Sequence, residues 1–428
     1  MLMKEVENQI SDILKINHYV LNLFPYWEDE LLKEWDKEIT NLVLKVSGNI
    51  DLNNFYKKLM KLSSLLNDGH TLVYLPEKIK ETFTYFPFKL AIIEDNLVIV
   101  ECEDKYQEYL FKPIKKLNNF SDTEFRDLCI TYGWRSNREF SINLLQSETS
   151  FLIEEDILDL EFIDNSKNEF KLIDKKYEGK STYIKQLPKE AKILHDSEEI
   201  LIAKINKKIL VKINHFMTEE VVTNFYKYAK DYLKAEEIIF DLRNNLGGNS
   251  GFADAIYQGF IDEAIEMEKA YHQVIDSERV ASATMNLYNI KDDTAKKEYK
   301  EFYEVLNHQY LEVTIEKSNF KQYQGLLKLV KVKILQNRMT YSSAENLIIN
   351  FDNNKRALLI GENTAGSTGQ PAWIKLKTGG MFMITAKKVE YPNGKTHHNI
   401  GIKPDVFIQE KLEDKINNVD SVLNYALS

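Results

Sequence analysis

The chain has 428 residues, 43% of them apolar, and a net charge of −10, enough for two or three domains around a sizeable core. The acidic balance excludes nucleic acid and anionic membrane surfaces as expected partners. No apolar run approaches the ~18 residues that span a bilayer. Cys102 and Cys129 match no metal-ligand spacing and read as reduced, partly buried thiols, so neither a metal nor a cofactor is expected. The first seventeen residues show no apolar core and no small-residue cleavage site. The expected location is therefore cytoplasmic, with a processed export form as the alternative.

Residues 1 to about 70 carry helical stripes: Val6, Ile10, Ile13 and Leu14, then Leu31, Leu32, Trp35 and Ile39. Asp51 is placed to cap a third helix over 52–66. That helix runs into the turn Asn67-Asp68-Gly69-His70-Thr71 and a short strand at 72–75, so His70 is held where helix gives way to strand. From 76 to 198 the pattern changes to short strands (90–93, 97–100, 114–116), a helix over 122–132 and alternating residues over 151–173. This is a β-rich module of ordinary domain size. Beyond 199 the chain turns α/β. Paired strands are expected at 200–204 and 209–213, an amphipathic helix at 219–233 and a buried strand at 237–240.

That last strand ends in Asp241-Leu242-Arg243-Asn244-Asn245-Leu246-Gly247-Gly248, and a helix is expected over 252–260. A strand, a glycine turn and a helix let main-chain N–H groups approach a ligand oxygen. No Gly-Lys-Ser/Thr follows, so the turn is not a phosphate loop. Asp241 and Arg243 read as braces of this turn. Residues 263–324 read as a charged helical insertion. A strand over 331–335 then leads through a polar turn to Ser342-Ser343-Ala344-Glu345 at the start of a helix. A serine in that position lies at the positive end of the helix dipole beside unpaired N–H groups, where a nucleophile and an oxyanion pocket can share one turn. Ser-x-x-Glu is also an ordinary capping box, and taken alone it favours capping over catalysis. Strands at 373–376 and 381–384, a turn at 391–394, a loop at 397–405 and a last helix complete the chain.

Four stretches in order resemble the tail-specific (C-terminal processing) and tricorn-type serine peptidases. They are the segment 66–71 with His70, the segment 239–248 with Gly247 and Gly248, Ser342 to Glu345 together with 361–369, and Gly401-Ile402-Lys403-Pro404-Asp405. The resemblance implies an α/β fold: a crotonase-like catalytic core at 199–428, an N-terminal helical region at 1–75, and a module at 76–198 that is PDZ-like by position only. It also implies a serine endopeptidase acting on peptides or unfolded protein, with an acyl-enzyme on Ser342. The oxyanion hole falls on the N–H of Ser343 and one from Gly247 or Gly248.

The tail-specific branch uses a lysine base at the position occupied here by Ser367, so the resemblance is closer to the tricorn-type branch. Its histidine base falls on His70. In that branch a serine precedes the histidine, and a glutamate lies three residues before the glycine of the Gly-x-x-Pro-Asp loop. Gly69 and His398 stand in those places, so the group that orients His70 is open between Asp68, Glu345, His398 and a main-chain carbonyl. Two other readings stand beside this one. Lys387 or Lys388 could replace His70 as base, which requires a desolvated lysine. The same fold also serves retinoid-binding modules, so a non-catalytic ligand- or peptide-binding protein is the alternative from another class. The remaining histidines, His18, His195, His215, His272, His308 and His397, read as surface or structural.

Overall fold

The run Glu237-Ile238-Ile239-Phe240 is apolar on both faces, as a strand covered on both sides must be. It forms the middle of a seven-stranded sheet. In spatial order the strands are Val406–Phe407, Leu358–Gly361, Lys331–Gln336, Glu237–Asp241, Lys208–Ile213, Ile200–Ile205 and Lys192–Asp196. The first five run parallel, the sixth runs antiparallel to them, and the seventh pairs antiparallel with the sixth and so runs with the first five. The computed structural model describes residues 2–133, 153, 157–175, 177, 187–263, 265–274, 277–288, 311–317 and 322–428.

Alternation along the central strand explains how the sheet is covered. Ile239 packs with Leu335, Ile360 and the last helix, Ser421–Leu427, through Val422, Leu423 and Ala426. Phe240 points the other way and meets Phe260 and Phe351, which also contact each other. The helices Ser250–Gln258 and Ser343–Asn353 lie on that second face. Both follow directly from strand ends, so packing their apolar faces fixes the two turns that precede them.

The chain divides into two units made of non-consecutive segments. The unit with the large sheet comprises Glu81–Met267, Lys317–Thr368 and His397–Ser428. It also holds the hairpin Phe88–Ile93 with Asn96–Cys102, and a four-stranded sheet with the helix Asp122–Tyr132. Ser121 and Glu124 form a reciprocal capping box at the start of that helix. Cys102 and Cys129 are free and buried, and burial pushes the Cys129 thiol up to about 12.

The other unit comprises Met1–Lys80, Glu268–Glu316 and Gly369–Thr396. Its first three helices, Leu2–Leu23, Asp29–Ser47 and Leu52–Ser64, precede the strand Leu72–Tyr74, which pairs antiparallel with Met381–Thr385. Asp51 caps the third helix, accepting from the Asn54 N–H at 2.8 Å. Buried Asp12 accepts from the N–H groups of Lys377 and Thr378 and so anchors the turn after the strand Pro371–Lys375.

Two expectations give way to tertiary structure. The helix expected over 219–233 is two pieces, Glu220–Lys227 and Ala229–Tyr232. Tyr228 leaves helical geometry between them, and its hydroxyl donates to the Leu194 carbonyl at 2.8 Å. The insertion expected to be helical contains a strand, Glu266–Gln273, a helix, Ser277–Tyr288, and a strand, Leu311–Lys317. Partner strands override charge-rich helix propensity there. Part of that insertion, and residues 151, 152 and 154–156 of the alternating stretch, lie outside the described residues.

Arg243 closes the end of the central strand. Its guanidinium donates to both oxygens of Asp241 (2.8 and 2.7 Å) and to both oxygens of Asp420 (2.8 and 2.9 Å). Burial opposes its charge, but the two carboxylates more than offset that and hold the group charged. Asp420 in turn caps the last helix at Leu423. Arg243→Ala would leave buried Asp241 without its cation, and should lower the unfolding free energy by about 3–5 kcal/mol in urea denaturation.

Candidate active site

In a mostly parallel sheet, ligand sites gather at the carboxyl ends of the strands. Here the ends of three adjacent parallel strands lead into the segments that carry the sequence-predicted residues. Glu237–Asp241 leads to Gly247 and Gly248, Lys331–Gln336 leads to Ser342, and Leu358–Gly361 leads to Thr364 to Thr368.

Ser342 occupies a sharp strand-to-helix turn with φ 57° and ψ −123°. A non-glycine residue rarely adopts that conformation, and it persists only where neighbours over-determine it. The neighbours are on either side of the serine. The Tyr341 N–H donates to the Asn245 carbonyl at 3.0 Å, and Thr340 Oγ1 donates to the Leu242 carbonyl at 3.0 Å. The Ser342 N–H is shared between the Ser367 carbonyl (3.2 Å) and Glu345 Oε2 (3.3 Å).

Glu345 is fully buried. Its Oε1 accepts from Thr364 Oγ1 and the Gly366 N–H, and its Oε2 from the N–H groups of Ser367 and Ser342. Burial pushes this carboxyl up to about 7, against the pull of those donors. With both oxygens engaged in the serine turn, Glu345 acts as a brace of that turn.

The glycine pair is fitted to the serine turn. Gly247 has φ 89°, and a methyl group there would come within 2.6 Å of Ser342 Cβ and 2.8 Å of the Ser343 nitrogen. Gly248 has φ 141°, and a methyl there would come within 2.3 Å of the Phe216 carbonyl oxygen. Ser343 Oγ donates to the Gly248 carbonyl at 2.8 Å, tying the two turns together.

The expectation for the oxyanion donors narrows at this point. The Gly247 N–H is already given to Asn245 Oδ1 at 2.8 Å. Among the described residues, the N–H groups of Gly248 and Ser343 meet no acceptor. Asn245, fully buried and also bonded through Nδ2 to the Ile213 carbonyl, was not singled out from the sequence. Nothing in its neighbourhood marked it except its place two residues before the glycines.

His70 belongs to the other unit, with Asp68. Both are buried. Asp68 Oδ2 accepts from the His70 main-chain N–H (2.9 Å), from Thr71 Oγ1 (2.8 Å) and from Thr385 Oγ1. Asp68 therefore fixes His70 through its backbone. The imidazole lies by Gly369, where an added methyl would be 3.5 Å from His70 Cγ and 3.0 Å from Thr385 Oγ1.

His398 is half-buried in the loop before Gly401. The neighbouring His397, read as surface or structural from the sequence, is buried, with Nε2 2.9 Å from Thr368 Oγ1. Lys387 pairs with Glu268 at 2.7 Å and Lys388 with Glu390 at 2.8 Å. His18 is exposed beside Asn22, His195 and His272 lie in strands, and His215 is 3.9 Å from Glu198. His308 lies outside the described residues.

Residues 209–408 match the sequence model of Peptidase family S41. That stretch, a little under half of the chain, is what the chain shares with this family. The S41 region contains Gly247, Gly248, Ser342, Ser343, Glu345 and His398, while Asp68 and His70 precede it. Over 79 residues the chain is 33% identical to a carboxyl-terminal-processing protease from Synechocystis sp., a stretch amounting to 18% of each protein. Among solved structures, mature CPAF complexed with lactacystin has a TM-score of 0.68 at 15% identity, covering 98% of this chain and 97% of that one. A putative peptidase from Parabacteroides merdae has a TM-score of 0.50 at 14% identity, covering 99% and 95%. At these identities the likeness is one of mixed α/β fold.

The state of Glu345 can be tested apart from any activity. Because its folded-state value lies above its usual 4.5, the folded chain favours the protonated form. The stability this contributes is complete below that usual value and is lost as pH rises through 7. Relative to Glu345→Gln, which exchanges no proton, the wild-type unfolding free energy should fall by up to about 3 kcal/mol across that window. Urea titrations at a series of pH values measure it.

Proposed function

We propose that this chain is an S41-type serine endopeptidase that hydrolyses peptides or unfolded protein through an acyl-enzyme on Ser342, with His70 as general base. The observation that carries the reading is the serine turn itself. A strained backbone at Ser342 is held beside two N–H groups, those of Ser343 and Gly248, that meet no acceptor among the described residues. A capping residue needs no such strain, and Ser343, unlike exposed Gly248, is buried, where an unused donor is rare unless a ligand supplies the acceptor.

In this mechanism Ser342 Oγ attacks the peptide carbonyl as its proton passes to His70. The carbonyl oxygen becomes an oxyanion between the two N–H groups, which are fixed in place before the charge develops. Collapse expels the amine, protonated by His70, and leaves Ser342 acylated. Water then attacks the ester with His70 again as base, releasing the acid and restoring the serine. His70 takes this role from the resemblance to the tricorn-type branch and from an imidazole's suitability for proton transfer near neutrality. Asp68 would hold it in place through the main chain. We read the core as crotonase-like and the module after residue 75 as PDZ-like by position.

The two alternatives have less support. Lys387 and Lys388 are each committed to an ion pair, with Glu268 and Glu390. A binding protein without activity has no need of the strained turn.

Ser342→Ala should abolish labelling by a fluorophosphonate probe and with it peptide hydrolysis; hydrolysis at the wild-type rate would identify a different nucleophile. His70→Ala should lower kcat by about 10²- to 10⁴-fold, and undiminished activity would remove it as base. Gly247→Ala should cost about 10²- to 10³-fold in kcat by displacing the serine turn, with the far-ultraviolet circular dichroism little changed.

A further inference from the structure

Hydrogen bonds to the His70 main chain place its Cα, but they do not by themselves orient the imidazole, which turns about two side-chain bonds. A base that must meet one oxygen needs its ring fixed. The residues able to fix it lie in the same unit of the chain. Asp68, His70, Thr71 and Thr385 are each no more than 4% exposed. Water is therefore excluded from the bonds they make, and each bond is the stronger for it.

Thr385 ends the strand Met381–Thr385 and closes on the histidine turn at two points. Its Oγ1 donates to Asp68 Oδ2, and its N–H donates to Thr71 Oγ1 at 3.2 Å. Thr71 Oγ1 in turn donates to the same Asp68 oxygen at 2.8 Å, and the His70 N–H reaches that oxygen at 2.9 Å. Asp68, Thr71 and Thr385 thus form a closed cycle of hydrogen bonds, with His70 attached at its acidic corner. The strand register explains the meeting. Leu72 lies opposite Met383 in an antiparallel pair, so two residues further along each chain (72 − 70 and 385 − 383) His70 comes level with Thr385. Residues opposite one another on such a ribbon turn their side chains to one face.

Gly369 marks where the two side chains meet. A methyl group there would lie 3.0 Å from Thr385 Oγ1, 3.1 Å from Thr385 Cγ2 and 3.5 Å from His70 Cγ. One space the size of a methyl group is therefore bordered by both the threonine and the imidazole. The φ of Gly369 is not positive, so a glycine is needed there for room and not for backbone conformation. Threonine is stiff about χ1, and with its hydroxyl bonded to Asp68 its methyl is fixed beside that space.

We propose that Thr385 is a positioning residue for the peptidase reaction: through Asp68 it holds the His70 imidazole in its proton-transfer orientation, with Gly369 leaving the room both side chains need. In this role Thr385 touches neither the peptide nor the transferred proton. Asp68, one of the groups left open from the sequence as orienting His70, does so in concert with a threonine 317 positions further on. The inference rests on His70 as base, and its test has a readout that does not.

Thr385→Val keeps the side-chain shape and removes the hydroxyl. It should lower kcat by about 10- to 100-fold with KM little changed, and Thr385→Ser, which keeps the hydroxyl, should recover most of that loss. In a His70→Ala background Thr385→Val should add nothing further, as expected of two residues acting as one unit. The same fold-loss in both backgrounds would overturn the proposal. The second readout is the His70 imidazole signal by NMR in the chain carrying isotope-labelled histidine, assigned by its loss in His70→Ala. It should shift or broaden in Thr385→Val and in Gly369→Ala, and keep its wild-type position in Thr385→Ser. Gly369→Ala takes the place of Thr385→Val if circular dichroism shows the latter to fold poorly. An unmoved signal together with wild-type kcat in the folded variant would remove the role. Full activity in His70→Ala would instead remove the base, while a displaced signal in Thr385→Val would still support the hold of the threonine on the ring.

Discussion

One buried carboxylate governs the candidate site. Glu345 collects donors from Ser342, Thr364, Gly366 and Ser367, so a single group fixes both the serine turn and the segment that faces it. A side chain completely removed from water prefers to be neutral, and burial accordingly raises this one to about 7. The ionised form is costly to bury, yet it is the form that can accept all of those bonds at once. Stability is exchanged for position. The backbone of Ser342, which few L-residues would adopt unaided, is held by this concentration of bonds.

The second constraint is steric. Gly247 and Gly248 have no room for a Cβ, the first against the serine turn and the second against the Phe216 carbonyl. Their positive φ values also exclude most other residues. With Gly247 anchored to Asn245, the chain turns so that the next N–H is left without an acceptor among the described residues. The parallel sheet supplies the frame for all of this. Adjacent strands end side by side, so three turns far apart in sequence become neighbours, and the aromatic contacts of Phe240, Phe260 and Phe351 lock the helices that follow two of them.

Much of this was legible in the sequence because it depends on local rules. The β-branched and apolar runs gave the central strands, Asp51 is a side-chain cap, and the double glycine announced a close approach of backbone. Other features depend on groups brought together only by folding. No local rule says that Tyr228 will break a helix to reach Leu194, that Asn245 will consume the Gly247 N–H, or that His397 will be buried on Thr368 while His398 beside it is not. The charged stretch after 263 misled for the same reason. Its strand pairs with Lys388–Glu390, more than a hundred positions further on.

The surroundings of Ser367 support the proposal that the base comes from elsewhere in this chain. This serine stands where the tail-specific branch has its lysine, but it is 1% exposed, its carbonyl receives the Ser342 N–H, and its own N–H goes to Glu345. The residue contributes to the serine turn through its main chain, and its short side chain lets the segment lie close. A lysine there would have to be accommodated beside a carboxylate whose donors are all neutral, and the ammonium would compete for Glu345 and stay protonated in doing so. A neutral amine able to take a proton is hard to obtain in that setting. An imidazole supplied from outside the segment avoids the conflict, because it leaves the carboxylate to its structural task.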